Sequence, residues 1–223
     1  MKTLLMLVMG WLIMNDALEA SGQPPRRSAA VEEKELIAKS PEEQRIVDAL
    51  KEMWQGERHL NVSAMDGRLL RMLTESCNAQ RVVEIGTSTG ESALWLAMAL
   101  RTTGGKLWTH EIDAGRAATA RKNFEKAGVN GIITVIEGDA HETVTQHTEP
   151  IDILFLDADK EGYIDYLDKL LPLVKPGGLI IAHNMNTRQA DPRFVKAITE
   201  DKNLETLILL KEGMGLGVTL KKR

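Results

Sequence analysis

The chain has 223 residues, of which 43% are hydrophobic and 27% are charged, as is ordinary for a globular protein. This length suits one sizeable α/β domain with appendages rather than two independent cores. The net charge of −4 provides no basic field for nucleic acid, and Cys77, the one cysteine, excludes an intrachain disulfide.

The first twenty residues follow the order of a secretory signal. Lys2 precedes an apolar run from Leu4 to Met14, and a more polar stretch ends at Ser21. A bilayer span needs about 20 apolar residues, so no integral membrane span is expected. Residues 1–20 are interpreted as a signal or anchor for export or membrane attachment. The alternative is an over-extended start with a true start at Met14, and the protein is then cytoplasmic.

Residues 21–30 are polar and predict a linker before a domain over 31–223. Helical patterns cover 31–39 and 41–56, the second with Ser40 as N-cap and Pro41 at its first position. Their long charged faces favour surface helices that cover the core or a partner chain. A short extended piece over 60–63 precedes a third predicted helix over 64–77.

From residue 81 onward, predicted strands and helices alternate. The strands are 81–85, 107–112, 132–137, 152–157, 178–183, 206–211 and 216–220, and the helices are 91–102, 114–127, 139–146, 162–174 and 192–201. Such alternation indicates a parallel sheet with helices on both faces, and the last two strands fit an antiparallel hairpin. Ligands of such sheets bind at the carboxyl ends of the strands.

The turn from Gly86 to Gly90 joins the first strand to a helix. Glycine permits the backbone angles of a tight turn, and the N–H groups at such a helix start can face an anion. Ser92 could cap this helix or bind a ligand carboxylate. A tight turn without a ligand is the alternative.

The ends of the next two strands carry further candidates. Glu111 follows Gly86 by 25 residues, near the spacing at which an acid binds a ribose. The alternative for Glu111 is a solvated acid before a helix. Gly138 permits close approach to a flat base, and Asp139 is interpreted as a helix cap.

Strands four and five end in Asp157 and in the pair His183-Asn184. Asp157 could be a metal ligand, a base or a helix cap. Together the three residues could hold a divalent cation, since Asp and Asn favour Mg²⁺ while His shifts the preference toward transition metals. The alternative for His183 is a hydrogen-bonded polar residue at the start of a loop.

The ordered set VEIGTSTGESAL, HEID, EGDA, DILFLDADKEGY and KPGGLIIAHN, over about residues 55–223, resembles the cation-dependent class I O-methyltransferases. That family contains catechol and caffeoyl-CoA O-methyltransferases. The resemblance implies a Rossmann-like, seven-stranded, mostly parallel sheet with a C-terminal antiparallel hairpin, which binds S-adenosylmethionine. It also implies a homodimer, as in the bacterial members.

The resemblance implies a set of cofactor-binding residues: Val62, Glu84, Gly86, Thr87, Ser92, Glu111, Ala140 and Asp157. Gly86, Thr87 and Ser92 would hold the methionine end of the cofactor. Glu111 would bind the ribose hydroxyls, and Ala140 would lie at the adenine.

The resemblance also implies Lys160 as catalytic base, with Tyr163 nearby, and Asp157, His183 and Asn184 as metal ligands. The family usually has Asp-Asn where this chain has His183-Asn184. Because this change removes one negative charge, the site would prefer a different metal or lose it. The family's extra acid near the C-terminal hairpin has no secure counterpart, although Glu212 lies nearby.

The predicted function is S-adenosylmethionine-dependent O-methylation of a catechol-like phenolic small molecule, assisted by a divalent metal and with Lys160 as base. Three alternatives remain: a metal-independent O-methyltransferase, a methyltransferase for a hydroxylated nucleoside, and an inactive cofactor-binding protein. The acceptor pocket would be formed by loops 57–64 and 184–191 and by the hairpin.

Overall fold

The computed structural model describes residues 34–56, 59, 61–209 and 215–223, and residues 38–223 form one compact unit. Its strands are β1 (Arg81–Ile85), β2 (Lys106–Glu111), β3 (Ile133–Glu137), β4 (Ile151–Leu156), β5 (Val174–His183), β6 (Leu204–Leu209) and β7 (Leu216–Lys221). Its described helices are α1 (Pro41–Gln55), α2 (Ala64–Ser76), α3 (Glu91–Thr103), α4 (Ala114–Ala127), α5 (Ala140–Thr143), α6 (Tyr163–Leu170) and α7 (Pro192–Glu200).

The strands form one seven-stranded sheet in the order β3-β2-β1-β4-β5-β7-β6. Strands β1 to β5 pair in parallel, and β7 is antiparallel to both β5 and β6. This arrangement confirms the predicted Rossmann-like sheet and its C-terminal hairpin. The chain runs outward from β1 to β3 and returns beside β1 at β4, so the strand order reverses there and leaves a crevice for a ligand.

Helix α3 is the central helix of the domain. Every residue from Glu91 to Leu100 is buried, as expected for a helix that packs against other elements on all sides. Helix α2 packs closely against it, because Gly67 leaves room for the ring of Trp95. Helix α1 buries Ile46 and Leu50 completely, so it covers the core as predicted. Its N-cap is Ser40, whose hydroxyl accepts a hydrogen bond from the N–H of Glu43.

The structure corrects some predicted elements. Residues 34–39 contain no helix, so the prediction of a helix over 31–39 is wrong there, and residues 31–33 lie outside the described part. The extended conformation of Ser40 before Pro41 disfavours a helix that continues through this position. Strand β5 begins at Val174 rather than 178, because the Lys-Pro-Gly-Gly segment is an irregularity within the strand and not a turn before it. The predicted helix 162–174 ends at Leu170.

Several sequence predictions fall outside the described residues. These are the signal or anchor segment 1–20, the linker 21–30 and Glu212 in the hairpin turn. Among the described helices, none is long and apolar enough to cross a membrane.

A buried histidine pair links β2 to the segment before β4, with His110 Nε2 2.8 Å from His147 Nε2. Burial lowers the pKa of His110 to about 3, helped by the nearby His147, and burial lowers that of His147 to about 4. The unfolded chain therefore binds more protons than the folded one below about pH 6.5, and stability falls as pH decreases from there.

We expect acidification from about pH 7 to 5 to remove about 4 kcal/mol of unfolding free energy through this pair, or about 2 kcal/mol for each histidine. Urea unfolding at a series of pH values measures the effect. The variant His147→Gln should show a flatter profile, and an unchanged slope in this variant would contradict the assignment.

Candidate functional site

A cleft of about 860 Å³ lies at the carboxyl ends of β1, β2, β4 and β5. Seven of the predicted site residues line it: Gly86, Glu111, Ala140, Asp157, Lys160, His183 and Asn184. Thr87, Glu84 and Ser92 are buried and do not line it, and Val62 lines an adjoining cavity of about 530 Å³. The topology thus brings most of the predicted residues together at one sheet edge.

Gly86 forms the floor of the cleft where β1 ends. Its φ is +100°, and a Cβ added there would lie 2.3 Å from the carbonyl oxygen of Asp157. Both features require glycine at this position. However, the N–H groups of Gly86 and Thr87 donate to the carbonyl of His110, and that of Ser88 donates to Glu111. These three groups are therefore already paired within the protein and do not face a bound anion, contrary to the prediction from the turn sequence.

Glu84 is a fully buried carboxyl group behind this turn. Ser92 donates a 2.5 Å hydrogen bond to Glu84 Oε1, so the Ser92 hydroxyl neither caps α3 nor points into the cleft. Glu84 Oε2 is buried and has no hydrogen-bond partner among the described residues. Burial raises the pKa of Glu84 to about 7, although the hydrogen bond from Ser92 opposes this shift. The group supports the turn from behind.

Glu111 is held in place at the end of β2. Its carboxylate accepts hydrogen bonds from the N–H groups of Ser88 and Asp113, at 2.7 and 3.0 Å, and forms an ion pair with Arg116 at 3.0 Å. It is buried, so it is not the solvated acid of the alternative interpretation. Nearby, Asp139 accepts a hydrogen bond from the N–H of His141 and caps α5, as predicted.

Lys160 lies in the cleft just after β4. Its Nζ donates to Asp157 Oδ1 at 3.1 Å, to the carbonyl of Ala158 at 2.7 Å and to the hydroxyl of Tyr163 at 2.8 Å. The Tyr163 hydroxyl in turn donates to the carbonyl of Leu156. Burial lowers the pKa of Lys160 below its usual value, while the charge of Asp157 acts in the opposite direction. The amine is thus fixed in position and its ammonium form is weakened by desolvation.

His183, at the end of β5, lies between two carboxylates. Its Nδ1 is 3.1 Å from Asp157 Oδ1, and its Nε2 is 3.4 Å from Asp66 Oδ2. Asp66 is in the first turn of α2, where it also accepts a hydrogen bond from Ser63. Asn184 follows with a φ of +59°, which Asn tolerates better than most residues.

Sequence reasoning missed Asp66. It stands three residues after Ser63, a spacing typical of helix capping, and Ser63 does accept a hydrogen bond from its N–H. No local signal indicated that its side chain also reaches the end of a strand more than one hundred residues later.

The residues at the ends of β4 and β5 do not fit a divalent cation in this arrangement. Asp157 Oδ1 already contacts both Lys160 and His183, and both ring nitrogens of His183 face carboxylates. A metal-bound imidazole needs a nitrogen lone pair directed at the ion. Within the described part of the chain, no three His, Cys, Asp or Glu side chains are arranged to hold a metal.

The same cleft does fit a nucleoside cofactor with an amino-acid end. Gly86 lines the cleft without a side chain, so only backbone stands at this point of its wall, and the buried Glu84 carboxyl supports the turn behind it. Glu111 is fixed at the edge of the cleft next to β2.

Comparison with known proteins identifies the class. A family model described as "O-methyltransferase" matches residues 37–220, and the chain therefore belongs to this O-methyltransferase family. The match covers the sheet up to the last residue but one of β7 and confirms the resemblance drawn from the motifs.

Individual relatives carry more particular names. The chain is 38% identical to catechol O-methyltransferase of Niastella koreensis over 56% of its own length and 58% of that protein, so it spans little more than half of this relative. It is 33% identical to caffeoyl-CoA O-methyltransferase of Petroselinum crispum over 95% of its length and 92% of that protein. An O-methyltransferase structure from Bacillus cereus in complex with SAH (S-adenosylhomocysteine) superimposes with a TM-score of 0.71 at 28% identity, covering 84% of this chain and 93% of that one.

Proposed function

We propose that this protein transfers a methyl group from S-adenosylmethionine to the hydroxyl of a phenolic, catechol-like small molecule, with Lys160 as the base. The observation that carries the proposal is the position of Lys160, whose buried Nζ lies in the cleft beside Asp157. Family membership and the SAH-bound structural relative support the methyl donor.

The residues of β1 and β2 would hold the donor. Gly86 would lie against it without a side chain, the buried Glu84 would support that turn from behind, and Glu111 would accept hydrogen bonds from its ribose. Ala140, at the start of α5, would lie against the base. When bound, S-adenosylmethionine supplies a methyl group on a positively charged sulfur, which leaves as a neutral thioether with the C–S electron pair.

Lys160 would remove the acceptor's proton. A phenol has a pKa of about 10, so its hydroxyl is a weak nucleophile at neutral pH. A neutral amine at Nζ would take that proton as the new O–C bond forms, and burial of Lys160 favours its neutral form. Asp157 and Tyr163 would keep Nζ in place throughout the reaction.

The acceptor class follows from chemistry and from the relatives. The catechol and caffeoyl-CoA enzymes that this chain resembles are named for aromatic acceptors. The net charge of −4 does not favour a nucleic-acid acceptor.

A panel of acceptors tests this proposal. Purified protein is incubated with S-adenosylmethionine and, in separate reactions, with catechol, a simple monophenol and a hydroxylated nucleoside, and products are identified by mass spectrometry. We expect a methyl ether of catechol. A methylated nucleoside with unmodified phenols would contradict the proposed acceptor class.

A further inference from the structure

The end of β5 carries its own positive charge at the position where the resemblance implies a metal. We propose that His183, held as an imidazolium between Asp157 and Asp66, replaces the divalent cation, so that this protein works without a metal. The inference deepens the proposed function and rests on it for its catalytic meaning. The positive charge on His183 is inferred from its contacts with the two carboxylates, and these contacts do not depend on the reaction.

The contacts favour a doubly protonated ring. Nδ1 lies 3.1 Å from Asp157 Oδ1 and Nε2 lies 3.4 Å from Asp66 Oδ2. Ionised carboxylates only accept hydrogen bonds, whereas a neutral imidazole has a single N–H and would direct a lone pair at one of them. A carboxylate opposite each nitrogen therefore favours a proton on both. The side chain is 7% exposed, so both ring nitrogens are largely shielded from solvent.

The surrounding charges support this protonation state. Burial disfavours the charged ring, but the hydrogen bonds and charges of Asp157 and Asp66 outweigh it and raise the pKa of His183 to about 9. Burial likewise disfavours ionised Asp66, yet the hydrogen bonds from His183 and Ser63 lower its pKa. The two carboxylates balance the charges of His183 and Lys160.

The imidazolium would then act on the base. His183 and Lys160 both contact Asp157 Oδ1. The positive charge of the ring therefore offsets part of the Asp157 negative charge, which otherwise stabilises the lysine ammonium. A nearby like charge favours the neutral amine that the reaction requires. His183 is thus a positioning residue that acts through Asp157.

Nuclear magnetic resonance of the ¹⁵N-histidine-labelled full chain tests the protonation state. At about pH 7.5 we expect His183, assigned by comparison with His183→Gln, to show two protonated ring nitrogens. In Asp66→Asn, which keeps the shape but removes one carboxylate, its pKa should fall. A neutral His183 in the unaltered protein would overturn the proposal.

Manganese binding tests the replacement directly. Titration of Mn²⁺ followed by electron paramagnetic resonance should show little binding to the unaltered protein, and at least about tenfold tighter binding to His183→Asp, which restores an oxygen ligand. Tight Mn²⁺ binding to the unaltered protein that broadens the His183 signals would overturn the proposal, whether or not His183→Asp folds. If no phenol is methylated, the proposed function is overturned. The protonation state of His183 and the Mn²⁺ titration would still test this inference.

Discussion

Replacing Lys160 with Ala should reduce the rate of methyl transfer by about 10²- to 10⁴-fold, the usual contribution of a general base. The amine lies in the cleft, and its burial favours the neutral form that can receive the acceptor's proton. Lys160→Arg should be similarly impaired, because a guanidinium keeps the charge but does not lose its proton. Initial rates at saturating donor measure the loss.

Two controls make this result specific. Lys169→Ala removes an exposed lysine that pairs with Asp165 on α6, and it should retain full activity. Donor affinity of Lys160→Ala, measured by calorimetry, should stay close to that of the unaltered protein. Lys160→Ala with near-normal rates would show that another group removes the proton.

The pH dependence of the methyl-transfer rate of the unaltered protein is also expected to depend on Lys160. A base acts in its neutral form, so the rate should rise with pH and level off above the pKa of Lys160. Burial lowers this pKa from its usual value of 10.5.

The second large effect is expected from Gly86→Ala. A methyl group at this position meets the Asp157 carbonyl oxygen at 2.3 Å, and the φ of +100° is unfavourable for alanine. Backbone atoms of β1 and β4 would have to separate, which distorts the floor of the cleft. We expect donor affinity to fall by about 100-fold or more, equivalent to at least about 2.7 kcal/mol.

Gly104→Ala is the matched control for this change. Gly104 also has a positive φ, +80°, but an added Cβ would have nothing within 4 Å. The control should therefore lose some stability through backbone strain and keep its donor affinity. Equal loss of affinity in both variants would mean that backbone strain, and not the clash with the Asp157 carbonyl, causes the effect.

Local sequence patterns predicted the sheet well because its buried strands are short apolar runs separated by capped helices. They also placed Asp157, Lys160 and His183 at one edge, since parallel strands end on the same side. The contact between Asp66 and His183 was not predictable, because it depends on how α2 packs against the domain. The hydrogen-bond partners of Gly86 and Thr87 depend in the same way on strand pairing with β2.

The departure at His183 illustrates the limit of motif reasoning. The sequence shows that an expected acid is replaced by histidine, but it does not show whether the ring would bind a metal or an acid. That choice depends on Asp66, which comes from a different part of the fold. The geometry of the side chains is therefore needed before the chemistry can be proposed.

The most direct test of the account is transfer of an isotopically labelled methyl group from S-adenosylmethionine to catechol by protein treated with a strong chelator. We expect labelled methyl ether to form at the same rate with and without chelator, and much more slowly with Lys160→Ala. Activity lost on chelation and restored by Mg²⁺ would contradict the role assigned to His183, and no labelled ether under either condition would contradict the proposed methyl transfer.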